Sequence, residues 1–119
     1  MNWYLVKIVF RIVCGNGDHS PQFDEQLRLV AAGDEQEALR KAENMGRNES
    51  DAFVNTKDQL VQWKFINIAE LYIINGFIDG AELYSRIYET DNADEYINTV
   101  HLKAANIQCM ETHKLLQLL

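Results

Sequence analysis

Residues 2–13 alternate without a break. Tyr4, Val6, Ile8, Phe10 and Ile12 form a wholly apolar series; Trp3, Leu5, Lys7, Val9, Arg11 and Val13 form a mixed one. A period of two over this length predicts a long strand with one face in a core. The other face is half apolar, and a monomer would leave it wet. Next comes Gly15-Asn16-Gly17-Asp18-His19-Ser20-Pro21, a turn cluster with two of the six glycines and the only proline. Residues 22–31 resume as a strand, with Phe23, Leu27 and Leu29 in phase. The connection predicts an antiparallel partner for the first strand. Asp24, Glu25 and Arg28 are then expected to face Lys7 and Arg11 across the ladder, each pair contributing about 0.2–1 kcal/mol.

Gly33 and Asp34 mark the change to a helix. Asp34 is placed to cap it, with Glu37 at the third helical position as in a capping box. Ala38, Leu39, Ala42 and Met45 mark one face, and Gly46 is the expected stop. Residues 47–58 read as a polar loop from which Phe53 and Val54 can plug the core. Residues 59–69 carry apolar residues on both faces, which predicts either a central strand or one with a bulge. Residues 70–80, with Asn75-Gly76 and Asp79-Gly80, read as a connection, and 81–89 as a fourth strand. Asp91 is the expected cap of a second helix. Its stripe is Ala93, Ile97, Val100, Ala104 and Ile107, and it runs to about residue 115. The apolar end, residues 114–119, is a candidate contact surface.

The order is strand, strand, helix, strand, strand, helix. Helices segregated from strands in this way predict one α+β domain over 1–119: a four-stranded, mainly antiparallel sheet with two helices on one face. The two ββα halves are offset by 57 residues, with Glu25 and Glu82, and Asp34 and Asp91, in matching positions. These identities are too few to separate a duplication from two ordinary ββα motifs, and the ordinary reading is preferred.

Composition enters on the question of partners. The 119 residues carry 18 acidic and 11 basic side chains, a formal charge of -7. Double-stranded nucleic acid is an unfavourable partner for such a surface, because phosphate binding needs clustered Lys and Arg. Much of the acid stands at the two predicted helix starts, where the helix dipole favours it. No segment has the apolar length of a membrane span, and Lys7 and Arg11 interrupt residues 1–15, so these are not expected to act as a secretory signal. Two distant cysteines, Cys14 and Cys109, make no disulfide framework and point to a reducing cytoplasm.

Four runs carry a resemblance: residues 3–12, from Trp3-Tyr4-Leu5-Val6 onward; 21–29, around Gln22-Phe23-Asp24-Glu25-Gln26; Trp63-Lys64-Phe65-Ile66; and 79–86, around Asp79-Gly80-Ala81-Glu82. In this order and spacing the chain resembles the bacterial domain of unknown function 4288. The resemblance implies a cytoplasmic bacterial α+β domain and carries over no catalytic residues.

Candidate chemistry is sparse. His19 sits between Asp18 and Ser20, but neighbouring residues in an extended loop point apart and make no relay. Cys109 and His113, four apart on the second helix, lack a further pair to complete a metal site. No catalytic residue, metal or cofactor is therefore expected. The candidate binding residues are Trp3, Lys7, Arg11, Arg28, Trp63, Lys64, Tyr84, Arg86 and Tyr88. If their sides coincide, bases interleave with aromatics on one sheet face. That is a protein-interface composition, a single-strand-binding composition, or a solvated face of paired charges. The leading expectation is a non-enzymatic interaction module, one version of it an acidic inhibitor of a basic partner. A homodimer through the sheet face or the C-terminal helix is expected with it. The alternative is a small enzyme with a carboxylate and histidine site near residues 14–25.

Overall fold

The computed structural model describes residues 1–118, with side chains through Cys109. It has four antiparallel strands and two helices in the order ββαββα, an α+β arrangement. The chain divides into two units, Met1–Leu83 and Tyr84–Leu119. The first holds β1 (Asn2–Cys14), β2 (Gln22–Ala32), α1 (Glu35–Asn48), β3 (Asp51–Val54) and β4 (Leu60–Ile74). The second holds α2 (Ala93–Leu118). The strand order across the sheet is β2-β1-β4-β3.

β1 is interior to the sheet, paired with β2 from Asn2↔Ala32 to Ile12↔Gln22 and with β4 from Trp3↔Ile74 to Cys14↔Val61. Its apolar series is the core. Tyr4, Val6, Ile8 and Phe10 are buried together with Val30, Ala32, Ala38 and Ala42. The fully buried residues of α1 are small, Ala38, Ala42 and Gly46, so the helix lies close to the sheet, with Met45 packed at the border of the cluster.

β4 explains the apolar residues on both faces of its sequence. Its register against β1 shifts between Lys7 and Ile8 and again between Val9 and Phe10. Each shift adds a residue to β4, so core-facing positions come at Phe65, Ile68 and Leu71 rather than at every second residue. Ile66-Asn67 and Ala69-Glu70 turn away between them. Such bulges bend a strand and raise its twist.

The start of α1 is capped by Asp34 as read from the sequence, with the return bond from Glu37 shifted one residue, to Gly33. Asp34 Oδ1 accepts from the Glu37 backbone N–H at 2.8 Å, and Glu37 Oε2 accepts from the Gly33 N–H at 2.8 Å. Its end differs. Gly46 does not stop the helix, which runs to Asn48. Gly46 is buried against Phe65, and a Cβ there would overlap the ring. The glycine serves helix-to-sheet approach, which sequence periodicity does not distinguish from a stop.

The fourth strand is not where the sequence pattern puts it. Residues 81–89 form no strand, and the fourth strand is β3, inside the segment read as a loop. β3 reaches β4 through the short turn at 55–59, where Asn55 Oδ1 accepts from the Lys57 and Gln59 N–H groups. A local hairpin closes at smaller entropic cost than a distant segment competing for the same edge. Phe53 and Val54 consequently lie exposed on this edge strand rather than plugging the core. β4 runs on to Ile74, leaving only 75–80 as connection, so the 57-residue offset does not map onto matching elements.

In the second unit Asn92, not Asp91, caps the helix. Its Oδ1 accepts from the Glu95 N–H at 3.0 Å. Tyr88 stacks on Tyr96 with ring centroids 5.1 Å apart. The side chains of residues 110–119, including His113 and the apolar end, lie outside the described residues.

Replacing Gly46 by alanine tests the close approach of α1. On an exposed helix this change stabilises by about 1 kcal/mol. Here the Cβ must displace Phe65, so we expect a net loss of about 1–2 kcal/mol from overpacking, read by urea denaturation followed by circular dichroism.

Candidate functional site

The sheet has one covered and one open face. α1 covers the even-numbered face of β1. On the open face stand Trp3, Leu5, Lys7, Val9, Arg11 and Val13 of β1, joined by Phe23, Glu25, Leu27 and Leu29 of β2 through the register. β4 adds Lys64 and Tyr72, opposite Arg11 and Leu5, and the outward pairs made by its bulges. Trp3, Phe23, Leu27, Leu29, Ile66 and Tyr72 are between 43% and 54% exposed. Phe77, from the connection after β4, meets the Trp3 ring edge-on at 5.9 Å and extends the patch. Contiguous apolar surface of this kind marks an interaction site more often than scattered single residues do.

The partner of Lys7 on this face comes from β4, not β2. Lys7 lies opposite Leu27 on one side and Glu70 on the other, and its ammonium is 3.0 Å from Glu70 Oε2. Both side chains are largely covered by their neighbours, so truncating either would strand a charge among apolar groups. Arg11 lies opposite Phe23, its guanidinium carbon 5.9 Å from the ring centroid. Lys64 stands exposed beside it.

The nine candidate residues thus separate. Trp3, Lys7, Arg11 and Lys64 share the open face. Arg28 and Trp63 are on the α1 face, opposite Val6 and Ile12. There Trp63 Nε1 donates to Asp24 Oδ2 at 3.2 Å, Gln26 Nε2 donates to the same oxygen at 2.7 Å, and Phe53 stacks on the Trp63 ring. Tyr84, Arg86 and Tyr88 belong to the second unit and lie on no strand. Phe23, Leu27, Leu29, Ile66 and Tyr72 are surface residues outside the nine candidates. The signal for the first three was present: they are in phase with the mixed face of β1.

Arg28 is held by α1. NH1 and NH2 donate to the two carboxylate oxygens of Glu49 at 2.6 and 2.9 Å. These hydrogen bonds hold the Glu49 carboxyl below its ordinary value against a smaller opposing effect of burial. Both groups are substantially exposed, so the pair is worth under about 1 kcal/mol.

The turn after β1 forms a depression lined by Cys14, Asp18, His19, Ser20 and Gln22 among others. His19 Nε2 accepts from the Cys14 backbone N–H at 3.0 Å, and Nδ1 lies 2.9 Å from the Ser20 carbonyl oxygen as its donor. A neutral imidazole has one donor and one acceptor, and both are used on backbone. The ring is a turn brace. Asp24 and Glu25 are not in the lining: the first bonds Trp63, and the second faces out from β2. Among the described residues no group of three or more His, Cys, Asp and Glu side chains is placed to hold a metal. His113 is outside them, so the Cys109 pairing lies beyond the described side chains.

The class defined here is a small α+β domain with one sheet face sealed by a helix and the other left uncovered by the elements of the first unit. A family model, the domain of unknown function DUF4288, matches residues 3–85, and the chain belongs to that family. The match covers nearly all of the first unit. No curated protein matches the chain, and no solved structure does. Among the described residues no helix is long and apolar enough to cross a membrane.

The Glu49 carboxyl gives a pH signature. A depressed carboxylate contributes stability above its unfolded value, and that contribution disappears as pH falls through the folded value. Wild type should exceed Glu49→Gln in stability at neutral pH. The gap should close as pH falls below the ordinary glutamate range, read by urea midpoints across a pH series. A gap constant with pH would remove the ion pair as its cause.

Proposed function

We propose that this chain is a non-enzymatic protein-interaction module whose working surface is the open sheet face of the first unit. The observation that carries the reading is the row of half-exposed aromatic and aliphatic side chains from Phe23 and Leu27 across Trp3 to Tyr72 and Ile66. Covering apolar area of this kind yields roughly 25 cal/mol per Å² before the costs of association. Arg11 and Lys64 border the patch, and arginine with aromatics is typical of interface centres. The Lys7–Glu70 pair neutralises one of the bases on the face, which favours a protein over single-stranded nucleic acid.

The formal charge of -7 suits a basic partner, as for an acidic inhibitor, because opposite charge steers association. Unpaired Cys14 and Cys109 suit a reducing cytoplasm. The acid–base reading near residues 14–25 has little support, since His19 spends both ring nitrogens on the backbone of its own turn.

The test is site-specific photo-crosslinking in the native host. A crosslinker in place of Ile66 should give a discrete adduct distinct in mass from a self-dimer, weaker as salt rises. The same group in place of Arg40, exposed on α1, should give none. No adduct from Ile66, or the same bands from Arg40, would overturn the reading.

A further inference from the structure

The two edges of the sheet are unequally protected. β3 is four residues long and ends in a tight turn, a poor template for another strand. β2 is eleven residues long, pairs with β1 in unbroken register, and contains no proline or lysine. Sheet edges are usually blunted by short strands, bulges, lysine or proline. β2 has none of these in its own sequence; Lys41 of α1 donates to the Ala31 carbonyl at 2.8 Å, at the far end of the strand from Gln22.

It does carry charges, and their placement is self-complementary. Suppose two copies pair β2 to β2, antiparallel, about a two-fold axis perpendicular to the sheet. Residues facing each other must then lie on the same side of the sheet. Since side chains alternate, the axis must pass through a residue and not between two. An axis at Glu25 or at Arg28 brings like charges face to face. One at Leu27 leaves Asp24 opposite Val30. One at Gln26 puts Asp24 opposite the Arg28 of the other copy at both ends, and Phe23 opposite Leu29 at both ends. Glu25 then lies beside an exposed Leu27, with its carboxylate in water.

The side chains have capacity for the extra contacts. A guanidinium has five N–H donors. Arg28 spends one NH1 contact on Gln26 and two contacts, one from each terminal nitrogen, on Glu49. Both bonds to Asp24 fall on Oδ2, and among the described residues Oδ1 has none.

We infer that the chain forms a two-fold homodimer by antiparallel pairing of β2 with β2 about Gln26, so that Asp24 of each copy meets Arg28 of the other. The four strands of each copy become one sheet of eight. Both α1 helices lie on one side, and Phe23, Leu27 and Leu29 of the two copies run together on the other. The inference rests on the edge of the sheet and does not depend on what the open face binds.

Charge exchange tests both the interface and its register. Sedimentation equilibrium of the full chain should give a concentration-dependent species of twice 13.8 kDa. Asp24→Arg places arginines opposite one another, and Arg28→Asp places aspartates opposite one another. Each alone should raise the dimer dissociation constant at least about tenfold, since directly opposed like charges destabilise a ladder. Mixed in equal amounts, the two variants should recover a 1:1 heterodimer, because the arginines of one meet the aspartates of the other at both ends. Gln26→Lys, which leaves the Arg28–Glu49 pair in place, sets two lysines on the axis and should weaken the dimer even if Arg28→Asp does not fold. A monomeric wild type overturns the inference. So does a dimer that survives Asp24→Arg and Gln26→Lys unchanged, or a mixture of two folded variants that stays monomeric.

Discussion

The sheet depends on β1 having two neighbours and one wholly apolar face. Because β1 pairs with both β2 and β4, its backbone groups are satisfied on both edges and its side chains alone decide which side becomes interior. Tyr4, Val6, Ile8 and Phe10 point to one side, so α1 must pack there. With Ala38, Ala42 and Gly46 on its inner face, it packs closely. A fully buried residue such as Phe10 costs about 3–5 kcal/mol when truncated to alanine.

Sealing one face leaves the other to be explained. Leu27 and Leu29 are held in register by the same ladder that buries Val30 and Ala32, so the strand cannot slip to hide them without exposing the core. The bulges in β4 act in the same direction. They keep Phe65, Ile68 and Leu71 inward and turn Ile66 outward. The open apolar surface is therefore a consequence of the core's own register, and it recurs along three strands rather than at one residue.

Electrostatics divides along the same line. Arg28 and Lys7 both lie on strands beside β2 or β1, yet one is drawn to Glu49 at the end of α1 and the other to Glu70 on β4. Proximity in sequence to Asp24 and Glu25 decided neither. The acidic charge is real, but several bases are already committed to local partners. What is left for another molecule is a mainly apolar face edged by Arg11 and Lys64, and a strand edge whose charges match a copy of itself.

The sequence by itself determined the α+β class, the first two strands, the capped start of α1, the family and the half-apolar face of β1. All of these are local: alternation, a capping box and a turn cluster act within a few residues. The tertiary structure decided which segment supplied the fourth strand, why Gly46 is a glycine, where β4 bulges, and which bases share a face. Each of those is a competition between distant groups. Residues 81–89 alternate as a strand should, but β3 already holds the free edge of β4 through a five-residue turn. Arg28 reads as a sheet-face base until α1 places Glu49 beside it. Periodicity assigns a side chain to a face; only the packed register says what lies across from it.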